Sequence, residues 1–259
     1  MELNKLICEK YLAGETLTSL AKEFKKGKRT IRKLLVHNNI EIKKKGFQTK
    51  YTCNHNYFEV LNNNSAYFLG FMFADGYITD NNRVCINLSS KDVSVLESFK
   101  KELNYTGPIG THKGFHKQIQ KDFEFKSLRI TSEKLCKDLA KYGVTPRKTK
   151  TIQFPNLPDH LVSDFIRGYF DGDGWLSKGQ KTILGFCSGS KQFLTSLESI
   201  LRDKLDLKVK KLYVKNENCF VLHYGAKQDI ADIQNFLYDD SSLYLKRKYI
   251  HLQPKVSLP

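Results

Sequence analysis

The sequence predicts an α+β protein in which one mixed unit is written twice behind a small all-helical module. Three observations carry that expectation. Apolar residues recur at helical spacing in three short stretches near the N-terminus. The stretch SAYFLGFMFADGYIT (65–79) returns as SDFIRGYFDGDGWLS (163–177), with Asp75 and Asp173 98 positions apart. The segments after each copy follow in the same order, which chance rarely produces.

Composition bounds the function classes. The 259 residues include 43 Lys or Arg against 27 Asp or Glu, a formal charge of +16, so a polyanionic partner is expected. Apolar residues at 40% and aromatics at 12% exclude a mostly disordered chain. No run approaches the ~20 apolar residues of a membrane span, and the first ten positions lack the apolar stretch of a secretion signal. An intracellular protein without membrane partners is expected. The cysteines Cys8, Cys53, Cys85, Cys136, Cys187 and Cys219 contain no CxxC pair, so neither a zinc ribbon nor a disulfide framework is supported. Cys53 with His55, and His112 with His116, have metal-compatible spacing but lack further ligands. Lysine outnumbers arginine 35 to 8, which fits an AT-rich genome: a low-GC bacterium, its phage, or an organelle.

Residues 1–50 hold 13 Lys or Arg against 5 Asp or Glu, so half of the excess sits in about a fifth of the chain. Leu3, Leu6, Ile7 and Tyr11, then Leu17, Leu20, Ala21 and Phe24, then Ile31, Leu34 and Leu35 predict three short amphipathic helices. Gly14 suits the first stop, Thr16 or Thr18 can cap the second helix, and Gly27 sits before the third. The stretch YLAGETLTSLAKEFKKGKRTIRKLL resembles the helix-turn-helix of site-specific recombinases and phage regulators. That resemblance implies a module over 1–45 whose third helix enters a DNA major groove, with Lys28, Arg29, Arg32 and Lys33 on its solvent side. Lys43, Lys44, Lys45 and Gly46 form a basic tether suited to follow the phosphate backbone, and 46–59 is expected as a basic linker.

The remainder divides into repeats at 60–150 and 151–259. Each begins with an apolar helix ending in Asp-Gly. A strand pair is expected next, over KDVSVLESFKKEL (91–103) or KQFLTSLESILRDKL (191–205), then two more strands, the second being FEFKSLRIT (123–131) or CFVLHYGA (219–226). A further helix and a basic cluster close each copy, PRKT (146–149) or KRKY (246–249), placing Lys148 and Lys248 73 and 75 residues beyond their aspartates.

FLGFMFADG (68–76) and IRGYFDGDG (166–174) resemble the nine-letter motif of the LAGLIDADG homing endonucleases, in the single-chain form with both motifs in one polypeptide. The first matches at Gly70, Ala74, Asp75 and Gly76, and the second at Gly168, Asp171, Asp173 and Gly174. The resemblance implies two pseudo-symmetric αββαββα repeats forming a DNA-binding saddle. Gly70 with Ala74, and Gly168 with Gly172, place small residues four apart on one helix face, which lets two helices meet backbone to backbone. Each helix then delivers Asp75 or Asp173 beside a pseudo-twofold axis. Two carboxylates brought together repel, and a divalent cation relieves them; oxygen ligands suit Mg²⁺, with Mn²⁺ as a substitute. Gly76 and Gly174 fit the turn out of each helix. Asp171, opposite Phe73 in the other copy, is expected on the helix surface or behind the terminal acid.

The resemblance further implies a metal-dependent, site-specific cut of double-stranded DNA, one attack per strand across the minor groove, leaving short 3′ overhangs. Asp75 and Asp173 would hold the metal, and Lys148 and Lys248 would orient water or stabilise transition-state charge. One chain would act as a monomer on a long, imperfectly palindromic site. The alternatives are an intron RNA maturase or a DNA-binding regulator that does not cut, on a gene lodged in an intron or freestanding.

Strand periodicity marks a reading face. In RVCINLSS (83–90), Val84, Ile86 and Leu88 would face the helices and leave Arg83, Asn87 and Ser89 outward. In FEFKSLRIT, Ser127 and Arg129 would point out and Leu128 and Ile130 in. KKLYVK presents Lys211, Tyr213 and Lys215, and His223 lies beside Leu222 and Tyr224. Arg and Asn read guanine and adenine edges. Trp175 is expected in the core.

Overall fold

The computed structural model describes residues 2–13, 15–40, 42, 51–116, 120–178 and 181–252. Gly14 and the run Lys43, Lys44, Lys45 and Gly46 lie outside these residues. The chain divides into two compact units, Met1–Thr49 and Lys50–Pro259.

The first unit contains three helices: α1 (Glu2–Leu12), α2 (Leu17–Glu23) and α3 (Lys28–His37). Thr16 caps α2, its side chain accepting from the Ser19 N–H at 3.1 Å. Gly27 is the N-cap of α3. Ile7, Tyr11, Leu20, Ile31 and Leu35 are buried together. Leu3 and Leu6, expected in this core, are 47% and 43% exposed instead; Leu6 lies beside the inward stripe of Ile7 and Tyr11, and Leu3 lies one turn before Ile7 at the start of the helix.

The second unit holds two copies of one architecture. The first runs α4 (Asn63–Ala74), β1 (Gly76–Thr79), β2 (Arg83–Ser89), α5 (Val93–Glu102), β3 (Gly110–His116), β4 (Lys121–Thr131) and α6 (Glu133–Lys141). The second runs α7 (Val162–Asp173), β5 (Gly174–Lys178), β6 (Thr182–Ser188), α8 (Lys191–Leu205), β7 (Tyr213–Asn216), β8 (Cys219–Tyr224) and α9 (Lys227–Tyr238), followed by α10 (Lys246–Leu252). The antiparallel sheets have orders β1-β2-β4-β3 and β5-β6-β8-β7, so both copies are αββαββα.

The strand pair assigned to 91–103 and 191–205 is corrected. Those segments are the helices α5 and α8, and the pairs precede them as β1–β2 and β5–β6. Val95, Leu96 and Phe99, and Phe193, Leu194, Leu197 and Leu201, form buried stripes at helical spacing. Residues 51–59 are not a free connection: Tyr57 and Phe58 belong to the core, and the Asn54 N–H donates to the Leu103 carbonyl at 2.7 Å.

Candidate functional site

The site begins with the packing of α4 against α7. Asn62 starts α4 with a capping box, its side chain and that of Ser65 each satisfying the other's backbone N–H. Every residue from Ser65 to Phe73 is buried, because the helix has neighbours on all sides. A Cβ at Gly70 would overlap the Phe165 carbonyl oxygen, and one at Gly168 would overlap that of Tyr67. The two glycines are therefore points where backbone lies on backbone. A Cβ at Gly172 would overlap that of Ala74 and lie 3.3 Å from Oδ2 of Asp75, so the Asp75 carboxylate leans over the end of the partner helix.

Asp75 is the C-cap of α4, and Asp173 is the last residue of α7. Burial, ahead of every nearby charge, pushes both carboxyls up. Asp173 is raised to about 6, with Asp75 as the second cause and Lys148 and Lys248 opposing. For Asp75 the two lysines oppose the burial. For Asp173, repulsion from Asp75 is thus secondary to desolvation. Gly76 and Gly174 also act for a different reason than expected. Neither has a positive φ, but a Cβ at Gly76 would press on Met72 and one at Gly174 on the Phe170 carbonyl, 2.5 Å away.

Lys148 and Lys248 lie at the same place in the two copies, and both are buried. Lys148 Nζ donates to the Phe73 carbonyl at 2.8 Å. Lys248 Nζ donates to the carbonyls of Phe170, Gly172 and Gly174 at 2.7, 2.9 and 2.6 Å. Each cation thus sits at the negative end of a motif helix, and the Phe170 carbonyl accepts the Gly174 N–H as well. Burial lowers both ammonium groups to about 8. Lys248 uses all three of its hydrogens on these carbonyls, whereas Lys148 has this one acceptor among the described residues.

Asp171 is not on the helix surface. It is 1% exposed, and its carboxylate accepts from the Tyr67 and Tyr238 hydroxyls at 2.8 and 2.7 Å and from the Leu245 N–H at 2.7 Å. Three long-range donors explain how an acid survives there. Arg167 lies nearby, donating to Asp164 and to the carbonyls of Leu237 and Leu243. An acid inside an apolar helix was the available signal, but its partners lie 67 to 104 residues away.

The oxygen donors suit a hard divalent cation in part. Among the described residues no group of three or more His, Cys, Asp or Glu could hold a metal. Two carboxylates from separate helices match the way Mg²⁺ binds, through one or two carboxylates completed by water and substrate phosphate. Asp75 and Asp173 could therefore hold Mg²⁺ only in a shared site, not a closed protein cage.

The residues expected to read bases divide. Arg83 and Arg129 are exposed, and the register Arg83↔Thr131, Cys85↔Arg129 and Asn87↔Ser127 puts them on the face opposite the helices. Asn87 is half-buried and donates to the Tyr77 hydroxyl at 3.3 Å, with its Oδ1 buried and unpartnered. Ser127 is 3% exposed and bonds His112 at 2.7 Å. Its expected outward contact is corrected: it does face out of the sheet, but His112, stacked on Phe125 at 5.0 Å, covers it. In the second sheet Tyr213 stacks on His223 at 4.5 Å and Lys215 is exposed. Lys211 is exposed but precedes β7 rather than lying in it. Trp175, expected in the core, is half-buried on the outer face, its ring filling the space over Gly185. On α3, Lys28, Arg29, Arg32 and Lys33 are all exposed.

Comparison with known proteins adds four findings. The LAGLIDADG-like domain matches residues 161–233. The structure is similar to that of the homing endonuclease I-WcaI bound to its DNA recognition sequence, with a TM-score of 0.54 at 13% identity, covering 75% of this chain and 90% of that one. In sequence the chain is 26% identical over 186 residues to the DNA-directed RNA polymerase subunit Rpo1C of Methanocaldococcus jannaschii, covering 70% of this chain and 20% of the relative. It is also 28% identical over 179 residues to a "Probable translation initiation factor IF-2" of the same organism, covering 65% of this chain and 14% of the relative. The chain thus spans a fifth or less of these curated relatives. No described helix is long and apolar enough to cross a membrane. The second copy thus matches a LAGLIDADG-like domain, and the doubled fold, with both motif helices in one polypeptide, is similar to that of I-WcaI.

Proposed function

We propose that the chain is a site-specific endonuclease that hydrolyses both strands of double-stranded DNA with a divalent metal, Mg²⁺ or in its place Mn²⁺, leaving short 3′ overhangs. The observation that carries this reading is the meeting of two partly buried acids, Asp75 and Asp173, at the ends of helices packed glycine against backbone. A fold that needs only stability has no reason to desolvate two carboxylates side by side. A bound divalent cation would supply charge neutralisation at the phosphate and a more acidic water. Asp75 and Asp173 would ligate it, one serving each strand. Lys148 and Lys248 add positive charge beside them, which favours the anionic transition state. The outer sheet faces, with Arg83, Asn87, Arg129, Tyr213, Lys215 and His223, would follow the major groove, Arg and Asn reading base edges.

The test is incubation of the protein with DNA spanning the joined flanks of its gene. A double-strand break with Mg²⁺, none with EDTA, and binding with little cutting in Ca²⁺ are expected. Specific binding without cutting in Mg²⁺ and Mn²⁺ would replace the reading by a regulator or an intron RNA maturase. Because one chain holds both acids, light scattering of the complex should show one protein per site. Two chains per site would overturn the monomeric reading.

The first unit is proposed as a helix-turn-helix module that adds affinity at one end of the site. Removal of residues 1–49 should weaken binding and flatten the dependence of log K on log salt by about one unit per lost phosphate contact. Base changes at one outer end should cease to matter, while those near the cut keep their effect. An unchanged affinity and salt slope would move this unit to a protein-contact role.

A further inference from the structure

The two copies hold their lysines in different ways. Arg247, the residue before Lys248, makes a two-pronged pair with Asp92: Nε lies 2.9 and 3.2 Å from the two carboxylate oxygens, and a terminal nitrogen lies 3.0 Å from one of them. Asp92 belongs to the first repeat, in the short turn between β2 and α5, and is 6% exposed. Arg247 belongs to α10 of the second repeat. The ion pair therefore fastens the lysine-bearing helix of one copy to the body of the other. The planar fork of Arg gives such a pair a set direction, which a lysine would not.

The opposite arrangement is missing. Ser190 stands 98 positions after Asp92 and carries no charge. It caps α8 and donates to the Ile152 carbonyl at 2.6 Å. Arg147, which precedes Lys148 as Arg247 precedes Lys248, is exposed and has no ion pair among the described residues. Its backbone is left-handed, with φ 60. The second copy also has an inner tie without parallel in the first. Asp171 accepts the Leu245 N–H just before α10, while Phe73 occupies the matching position in the first.

We propose that Asp92, acting through Arg247, is a positioning residue for Lys248, so that the first repeat sets the half of the centre that the second repeat supplies. Asp171 is a second positioning residue for the same lysine, acting through Leu245. Lys248 needs this help because its three hydrogens must all meet carbonyls on the end of α7 and the start of β5. A helix of seven residues at the end of the described chain has little stability of its own to hold it there. Lys148, with one carbonyl to meet, is held by its local turn.

The inference concerns a lysine whose role in cutting rests on the endonuclease reading, but its placement can be tested without cutting. The full chain, free of DNA and metal, is treated with an amine-acetylating reagent, and the rates at Lys248 and Lys148 are followed by mass spectrometry. Arg247→Ala and Asp92→Ala are each expected to speed modification of Lys248 roughly fivefold, with Lys148 unchanged within about twofold, and the double variant should be no faster than either single. Asp171→Asn should show the same selectivity. If that buried change prevents folding, the half-exposed Arg247 pair decides alone. An unchanged Lys248 rate, an equal rise at Lys148, or multiplying effects in the double variant would overturn the proposal.

Strand-resolved cleavage supplies the second readout. Lys248→Met identifies the strand that this lysine serves, and Arg247→Ala and Asp92→Ala should leave DNA nicked on the other strand only. Equal slowing of both strands would overturn the positioning role. Failure of the unaltered protein to cut would count against the endonuclease reading alone, since the acetylation rates still decide this one.

Discussion

Asp75→Asn and Asp173→Asn are each expected to abolish double-strand cutting, a fall of at least about a thousandfold in rate, while DNA binding stays within about tenfold. Each change keeps the shape of the side chain and removes the charge that would ligate a cation. Binding survives because the exposed cations of the sheets and of α3 are untouched. Gel assays of cutting and of retardation on the same DNA make the comparison, and intact cutting by the double variant would remove these residues from the centre. Stability should move the other way. The Asp173 carboxyl is raised to about 6 in the folded chain. Its contribution to stability is therefore present below the ordinary carboxylate range and lost as pH rises through about 6. In the metal-free protein, Asp173→Asn should gain melting temperature at pH 7 relative to the unaltered chain and lose that advantage near pH 4. Equal pH dependence in the two would mean that the acid is not desolvated.

Gly70→Val and Gly168→Val should each destabilise the second unit by at least about 3 kcal/mol, a fall of roughly 6–12 °C in melting temperature. The added carbon at either position would occupy the place of a backbone carbonyl oxygen on the facing helix. A side chain could rotate away, but a carbonyl held in a helix cannot. Separating α4 from α7 would open the buried surface on both sides, including Phe68, Phe71, Phe165 and Tyr169, and would part the two acids. Gly225→Ala is the comparison, since nothing lies within 4 Å of a Cβ there, and it should melt within about 1–2 °C of the parent. Thermal melts that fail to separate Gly70→Val and Gly168→Val from Gly225→Ala would show that the helices do not meet backbone to backbone.

Elements with a local signature were legible in the sequence. The stripes of α2 and α3, the inward Val84, Ile86, Leu128 and Ile130, and the small residues of the two motif helices all follow from the period of the chain. The doubling was legible because a repeat is a comparison of the sequence with itself. In the 91–103 and 191–205 segments the apolar spacing is helical and agrees with α5 and α8, whereas the order of elements alone points to strands. What only the tertiary structure decided are the meetings between distant residues. Asp171 became a buried acceptor because Tyr67, Tyr238 and Leu245 converge on it. Ser127 was covered by a histidine from the neighbouring strand. Lys148 and Lys248 turned onto helix carbonyls, and Arg247 found Asp92 across 155 positions. A sequence states which side chains can donate, accept or carry charge. Which of them lose water together, and so which pairings stabilise rather than merely exist, depends on contacts that no local period encodes.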